Sequence, residues 1–353
     1  MTEQNRIEKL TFRIKDLTKR LGACSVGIVT PETLAGGPPT ADLSYVMPKA
    51  KSAVVFAVPL DQKSIEPYLK KEDSTAYNLN NVRTNTLVSG ISMDVAKYLE
   101  MKGYSSIPQN ANIDYRKDTK NGVLDEIPPI SHRYLAVRAG IGHFGFSGNL
   151  ITQEHGAAVI LGSLLTEAPL LPTDALDPKE NYCDKCKLCV SACASGYMNP
   201  KEDEKVTLGG HDFTYSKRRH HHRCDYVCGG FAGLHKSGKW STWSPARFSI
   251  PEKDEEFAGA FPVAAIAYGK RPKPEGGFYH FLMPGNLIEL TCSFCQLVCH
   301  PDKEVRNKRY KMLKNSGVII QHPDGRREAV TPEKAEEWIQ SMRPEVRELY
   351  TNQ

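Results

Sequence analysis

The sequence predicts an α/β (α+β) body over residues 1–170, followed by a smaller domain folded around metal sites. Three observations lead there. Apolar runs of strand length alternate with helical periodicity up to residue 170. Seven of the ten cysteines crowd into two short runs beyond it. The chain has 353 residues, more than one small module needs. Hydrophobic residues make up 40% and charged residues 25%, which suits a globular chain.

The elements follow in order. Ile7, Leu10, Ile14, Leu17 and Leu21 recur at helical spacing in a charged first segment. Lys51 to Val58 is an apolar run ending at Pro59, and reads as a buried strand. Gly90 to Met101 carries Ile91, Val95, Tyr98 and Leu99 on one helical face and stops at Gly103. Ser131 to Arg138 is a second helix, closed by Gly140, and Ala157 to Leu165 a second apolar strand. Ala168-Pro169-Leu170-Leu171-Pro172 reads as a linker. Residues 171–305 contain both cysteine runs. Between them an irregular segment of roughly 209–285, rich in Gly, Trp and His, reads as an insertion that covers something. In the tail, 306–353, Thr331 to Leu349 reads as one charged helix with Thr331 as cap.

The cysteine runs carry the chemistry. Cys183-x2-Cys186-x2-Cys189-x3-Cys193 is the two-cluster ferredoxin spacing, in which the fourth thiolate serves the other [4Fe–4S] cluster. Cys292-x2-Cys295-x3-Cys299 is the second run. Two cubanes need eight thiolates and the runs supply seven. The eighth is Cys224 or Cys228, with Cys224 preferred. By ferredoxin topology one cluster takes Cys183, Cys186, Cys189 and Cys299. The other takes Cys193, Cys292, Cys295 and the eighth ligand. Zinc is the competing reading, but this spacing suits it poorly. Cys24, alone near the start, reads as a small core residue.

Ahead of the clusters lies Ala139-Gly140-Ile141-Gly142-His143-Phe144-Gly145, continuing to Asn149-Leu150-Ile151-Thr152. Its glycines suggest a backbone passing close to a large ligand. It follows a helix and not a strand, so the context of a dinucleotide loop fails. The segment, with Lys97 to Pro108 upstream and Glu167-Ala168-Pro169 downstream, resembles the corrinoid and iron–sulfur reductases. That superfamily contains the reductive dehalogenases and the epoxyqueuosine reductases. The resemblance covers roughly residues 45–305.

The resemblance implies a nitroreductase-like, cobalamin-binding domain followed by a two-[4Fe–4S] ferredoxin domain. Ala139, Gly140, Gly142, His143, Gly145, Asn149 and Leu150 would contact the corrinoid. Electrons would pass from the clusters to cobalt, and Co(I) would reduce the substrate. Reductive cleavage needs an acid. The epoxyqueuosine reductase pattern places it at Glu126, in Glu126-Ile127-Pro128-Pro129, after Asp125. The dehalogenase pattern uses a tyrosine beside a basic residue, which offers Tyr134 with Arg133 or Arg138, or Tyr115 with Arg116. The competing reading makes Asp125 and Glu126 solvated loop acids. His220-His221-His222 could ligate a metal or line the substrate.

The leading expectation is a cytoplasmic, reductive dehalogenase-like enzyme cleaving a small organic substrate, fed by a low-potential ferredoxin or flavodoxin. The first alternative is an epoxyqueuosine reductase-like enzyme acting on tRNA. The short stretch after Cys299 and the absence of a visible repeat there count against it. The second is an electron-transfer or corrinoid-activating protein. Net charge is +5 and the pI 8.5, a mild basicity spread along the chain. Its densest run, Lys217 to Arg223, reads as a solvated loop more readily than as a nucleic-acid patch. No export signal and no apolar stretch of membrane-spanning length is visible, so no membrane partner is expected.

Overall fold

The computed structural model describes residues 2–111, 114–273, 278, 279 and 287–352. Its helices are α1 (Glu3–Arg20), α2 (Gln62–Lys70), α3 (Thr75–Met101), α4 (His132–Arg138), α5 (Leu188–Ser191), α6 (His222–Cys228), α7 (Phe257–Lys270), α8 (Phe294–Leu297), α9 (Lys303–Lys314), α10 (Pro332–Ser341) and α11 (Pro344–Arg347). Its strands are β1 (Ser25–Val29), β2 (Ser52–Pro59), β3 (Ser106–Gln109), β4 (His143–Phe144), β5 (Leu150–Ile151), β6 (Val159–Thr166), β7 (Met198–Leu208), β8 (His211–Arg218), β9 (Phe278–Tyr279), β10 (Leu287–Ile288), β11 (Val318–Gln321) and β12 (Arg327–Val330). The protein is therefore mixed α/β. Two compact units interleave along the sequence. Met1–Leu60, Asn81–Cys186 and Asp203–Tyr215 form the first; Asp61–Asn80, Lys187–Glu202 and Ser216–Gln353 form the second. The sequence had suggested consecutive blocks instead.

The first unit is built on an antiparallel sheet of order β1-β2-β6-β3. The two strands expected from apolar runs are its centre. Seven of the eight β2 residues are buried, which is why that run is apolar without alternation. β1 and β3 escape a periodicity search because they are short edge strands, one holding Gly27 and the other Pro108. α4 packs against the sheet, ending hard against β1. A Cβ on Gly27 would come within 2.4 Å of the Ala139 carbonyl oxygen. The expected helix 90–101 is the second half of α3. Its first half is rich in Asn, a poor helix former, but the Asp73 side chain caps it by accepting from the Thr75 and Ala76 amides.

The stretch expected as a linker is packed. Ala168 and Leu170 are buried, and the Leu171 amide donates to Thr11 Oγ1 at 3.0 Å. Cys24 is a correction too. It is an exposed position whose thiol donates to the Ala57 carbonyl, and not a core residue.

In the second unit α2 and α9 lie together, joined by Lys308–Glu66 at 2.7 Å and by Arg309 donating to Gln62 at 2.9 Å. The described part of the expected insertion is structural. α6, the turn after it and α7 bring Tyr226, Phe231, Phe257 and Tyr268 into one aromatic core. Most of its last stretch, 274–285, lies outside the described residues. The expected tail helix is two helices, α10 and α11, because Pro344 disfavours helical geometry at Arg343. Thr331 caps α10 as expected. Among the described residues no helix is long and apolar enough to cross a membrane.

Candidate functional site

In the first unit the glycine segment forms the hairpin of β4 and β5, pairing His143 with Ile151 and Phe144 with Leu150. α4 leads into it through Ala139 and Gly140, whose φ is 68°. The glycines have a reason other than an open cradle. A Cβ on Gly140 would lie 2.3 Å from the Asp174 oxygen, and one on Gly142 would lie 2.2 Å from the Ile151 oxygen. On Gly145 it would meet the Ile151 side chain at 2.7 Å. The missing side chains let the chain close on itself. Ala139 and Leu150 are buried in the same packing; Asn149, half-buried, donates its amide to Ser147 Oγ.

The hairpin turn reaches the first cysteine run. The Phe146 amide donates to Cys183 Sγ at 3.2 Å. His143 is buried, with Tyr182 edge-on at 4.7 Å, and its Nε2 has no hydrogen-bond partner among the described groups. Burial lowers its pKa, with Glu180 and Asp177 pulling the other way. That nitrogen is enclosed by protein atoms. The filled glycine faces do not by themselves outline a corrin cleft.

The two adjacent acids separate. Asp125 is half-buried, its carboxylate accepting from the Asn121 amide and side chain at 2.9 and 2.7 Å. Glu126 is buried in the left-handed conformation, φ 52°, at the end of a tight turn. It is therefore not a solvated loop acid. Tyr134 is buried and its hydroxyl meets that of Tyr215 at 2.8 Å. The Arg133 guanidinium lies 5.5 and 5.6 Å from the two rings. Burial first, then that hydrogen bond, pushes the Tyr215 hydroxyl above its ordinary pKa, so it stays protonated. Arg138 is buried on α4 and donates to the Thr173 carbonyl. Tyr115 is half-buried, and its expected partner Arg116 is committed to Asp118 and stacked 3.6 Å from Tyr45. Tyr215 was not singled out from sequence. It arrives from a hairpin 81 residues away, and no local signal announces the pairing.

In the second unit Cys193, Cys224, Cys228, Cys292 and Cys295 form one electrostatically coupled group. Burial pushes the Cys292 and Cys295 thiols well above their ordinary pKa, and the neighbouring thiols push them further. The charges of Cys224 and Cys193 act on both. α6 carries Cys224 and Cys228 one turn apart, hydrogen-bonded to each other. This donor set is five soft sulfurs, desolvated and mutually repulsive as thiolates, from which a cluster could draw four ligands in place of their protons. Cys189 is buried and Cys299 half-buried. All ten cysteines are free.

The loops around them are strained. Lys185, Lys187 and Ser293 adopt positive φ of 56°, 58° and 95°. They are three of the five described non-glycine residues that do so, and each sits inside a cysteine run. Backbone held this way is characteristic of functional turns. Lys71, also left-handed and buried, was not anticipated. Its amine bonds Ser316 Oγ, and burial lowers its pKa to about 7 while the Cys292 charge raises it.

The basic run is not a solvated loop throughout. Arg223 is buried and paired with Asp254 at 2.7 Å. The three histidines do not converge on one point. His220 and His222 have ring centroids 4.2 Å apart, whereas His221 pairs with Asp225 at 3.0 Å.

No family model matches the chain. It is similar to curated epoxyqueuosine reductases. That of Gloeobacter violaceus is 27% identical over 208 residues, covering 53% of this chain and 60% of that protein. That of Listeria monocytogenes is 36% identical over 130 residues, 33% of this chain and 34% of that one. That of Vibrio cholerae is 42% identical over 65 residues, covering 18% and 17%. The chain thus spans less than two thirds of the length of these relatives. An epoxyqueuosine reductase solved with an epoxyqueuosine-modified tRNA-Tyr stem loop is 20% identical, with a TM-score of 0.38 over 54% of this chain and 52% of that one. A catabolic reductive dehalogenase is 19% identical, with a TM-score of 0.44 over 61% and 28%. Structural likeness at these scores carries no argument. The sequence similarities support a relationship to the corrinoid and iron–sulfur reductase superfamily.

Proposed function

We propose that the protein is an oxidoreductase of epoxyqueuosine reductase type, using two [4Fe–4S] clusters and a corrinoid to reduce an epoxide on a tRNA nucleoside. The observation that carries this reading is the similarity to curated epoxyqueuosine reductases, 36% identical over 130 residues for that of Listeria monocytogenes. That similarity favours this alternative over the dehalogenase-like reading. The nitroreductase-like and ferredoxin-like character of the two parts belongs to the same proposal.

The chemistry divides among named residues. Cys183, Cys186, Cys189 and Cys299 hold one cluster; Cys193, Cys224, Cys292 and Cys295 hold the other. A low-potential ferredoxin or flavodoxin supplies the electrons. A corrinoid would supply the reducing centre when bound. Reducing an epoxide breaks a C–O bond and consumes two electrons and two protons, one of which must reach the oxygen. Glu126 is the proton donor. It is buried, whereas Asp125 is half-buried with its carboxylate held by Asn121. Tyr134, hydrogen-bonded to Tyr215, is the second-choice donor and Tyr115 the third. Their hydroxyls suit a small organohalide better, which is the remaining substrate class.

The test is a competition under anaerobic conditions. Protein reconstituted with iron, sulfide and cobalamin, and reduced chemically, receives an epoxyqueuosine-bearing stem loop and a halogenated phenol. Nucleoside mass spectrometry should show reduction of the epoxide while the phenol survives. Dehalogenation with an untouched stem loop would return the dehalogenase reading. Binding to tRNA should also weaken steeply with salt.

A further inference from the structure

We propose that Lys71 is the counter-cation of the cluster held by Cys193, Cys224, Cys292 and Cys295, and that its buried ammonium raises the reduction potential of that cluster. The inference rests on the proposed reading of these cysteines as cluster ligands. It adds a residue that sets how readily the cluster takes an electron.

Lys71 closes α2 in the left-handed conformation, a position that glycine or asparagine fills at least cost. A lysine stands there instead, and it is buried. Its Nζ donates to Ser316 Oγ, the one acceptor it has among the described residues. The ammonium lies 5.5 Å from the Phe294 ring centroid and 5.9 Å from that of Trp240. Aromatic faces attract a cation but do not neutralise it. Among the described residues no carboxylate pairs with it. A buried ammonium without an anion is costly, so the lysine calls for a countercharge.

The second cysteine run is the anion at hand. Tyr68, one turn before Lys71, shares its hydroxyl proton between the Leu290 and Cys292 carbonyls at 3.2 and 2.8 Å, which ties α2 to that run. Phe294, beneath the ammonium, opens α8 between Cys292 and Cys295. The Cys292 sulfur is the charged group that acts on the amine. A cubane on four thiolates is itself an anion, and it gains one more negative charge when it takes an electron. A fixed cation beside it therefore stabilises the reduced form more than the oxidised one, and burial limits screening by salt. The same anion favours the charged form of the amine.

The experiment uses the full chain, reconstituted anaerobically with iron and sulfide. Iron is counted, and a redox titration followed by paramagnetic resonance is run on the parent and four variants. Lys71→Met and Lys71→Gln remove the charge and keep most of the bulk. Lys71→Arg keeps the charge, and Ser316→Ala removes only the hydrogen bond. Iron content should match the parent throughout. In the two neutral variants one cluster should become roughly tenfold harder to reduce, about 59 mV for a one-electron couple, while the other keeps its potential. Lys71→Arg and Ser316→Ala should titrate like the parent. Unchanged potentials in iron-replete neutral variants overturn the inference and leave the cluster reading standing. An equal shift in Ser316→Ala, or loss of iron in both neutral variants, makes Lys71 a packing residue and overturns it as well. A parent that takes up no iron overturns the cluster reading itself, and the inference with it.

Discussion

The backbone amide of Phe146, in the turn of the glycine hairpin, donates to the sulfur of Cys183 at 3.2 Å. Hydrogen bonds to ligand sulfurs stabilise the reduced cluster and raise its potential. Such a bond contributes about 0.5–1.5 kcal/mol, or roughly 20–60 mV for a one-electron couple. Phe146→Pro removes the donor and Phe146→Leu keeps it. One of the two cluster potentials should fall by that amount in the proline variant only, as read by redox titration with paramagnetic resonance. Equal shifts in both variants would mean that the aromatic ring, not the amide, matters.

Glu126 and Asp125 should behave oppositely. Glu126→Gln is expected to keep iron and fold but lower turnover roughly 10²–10⁴-fold, the range for a lost general acid. Asp125→Asn should leave turnover within a few-fold, because that carboxylate serves Asn121. Unchanged turnover in Glu126→Gln would move the role to Tyr134, and Tyr134→Phe would then be the inactive variant.

Two glycines make a paired test of the fold. Gly142→Ala places a methyl 2.2 Å from the Ile151 oxygen and should destabilise by about 1–3 kcal/mol through forced separation of β4 and β5. Gly90, inside α3 with nothing within 4 Å of a built Cβ, should tolerate alanine with a gain of about 0.4–1 kcal/mol. Denaturant midpoints of the two variants should lie on opposite sides of the parent.

Stability should also depend on pH through His235. Burial holds its folded pKa at about 4, below the ordinary 6.5. A base depressed in this way adds stability above pH 6.5, and that stability is lost as pH falls toward 4. The melting temperature of the parent should therefore drop more steeply between pH 7 and 4 than that of His235→Phe. Parallel profiles would show that the ring is not desolvated.

What could be read in advance depended on how local the signal was. β2 and β6 were visible because strands buried on both faces are written as unbroken apolar runs. α4 was visible from Ser131 before it and Gly140 after it. The cysteine runs were visible because their spacing is short-range in sequence. Glu126 differs from Asp125 only through a left-handed turn that rotates one carboxyl inward, which no residue type announces. Tyr215 meets Tyr134 through tertiary packing. The glycines were noticed for the right property and given the wrong neighbour, since the chain's own carbonyls occupy the space. The insertion read as a cover because its Gly and Trp content resembles a loop, yet α6 and α7 supply the second unit's core.

The claim beneath all of this is that eight cysteines hold two cubanes. Iron and sulfide should be measured on anaerobically reconstituted parent, Cys292→Ser and Cys228→Ser, with paramagnetic resonance of the reduced proteins. The account predicts about eight irons in the parent and in Cys228→Ser, and a lower content with one cluster signal lost in Cys292→Ser. Zinc in place of iron, or a parent holding about four irons that Cys292→Ser leaves unchanged, would contradict it.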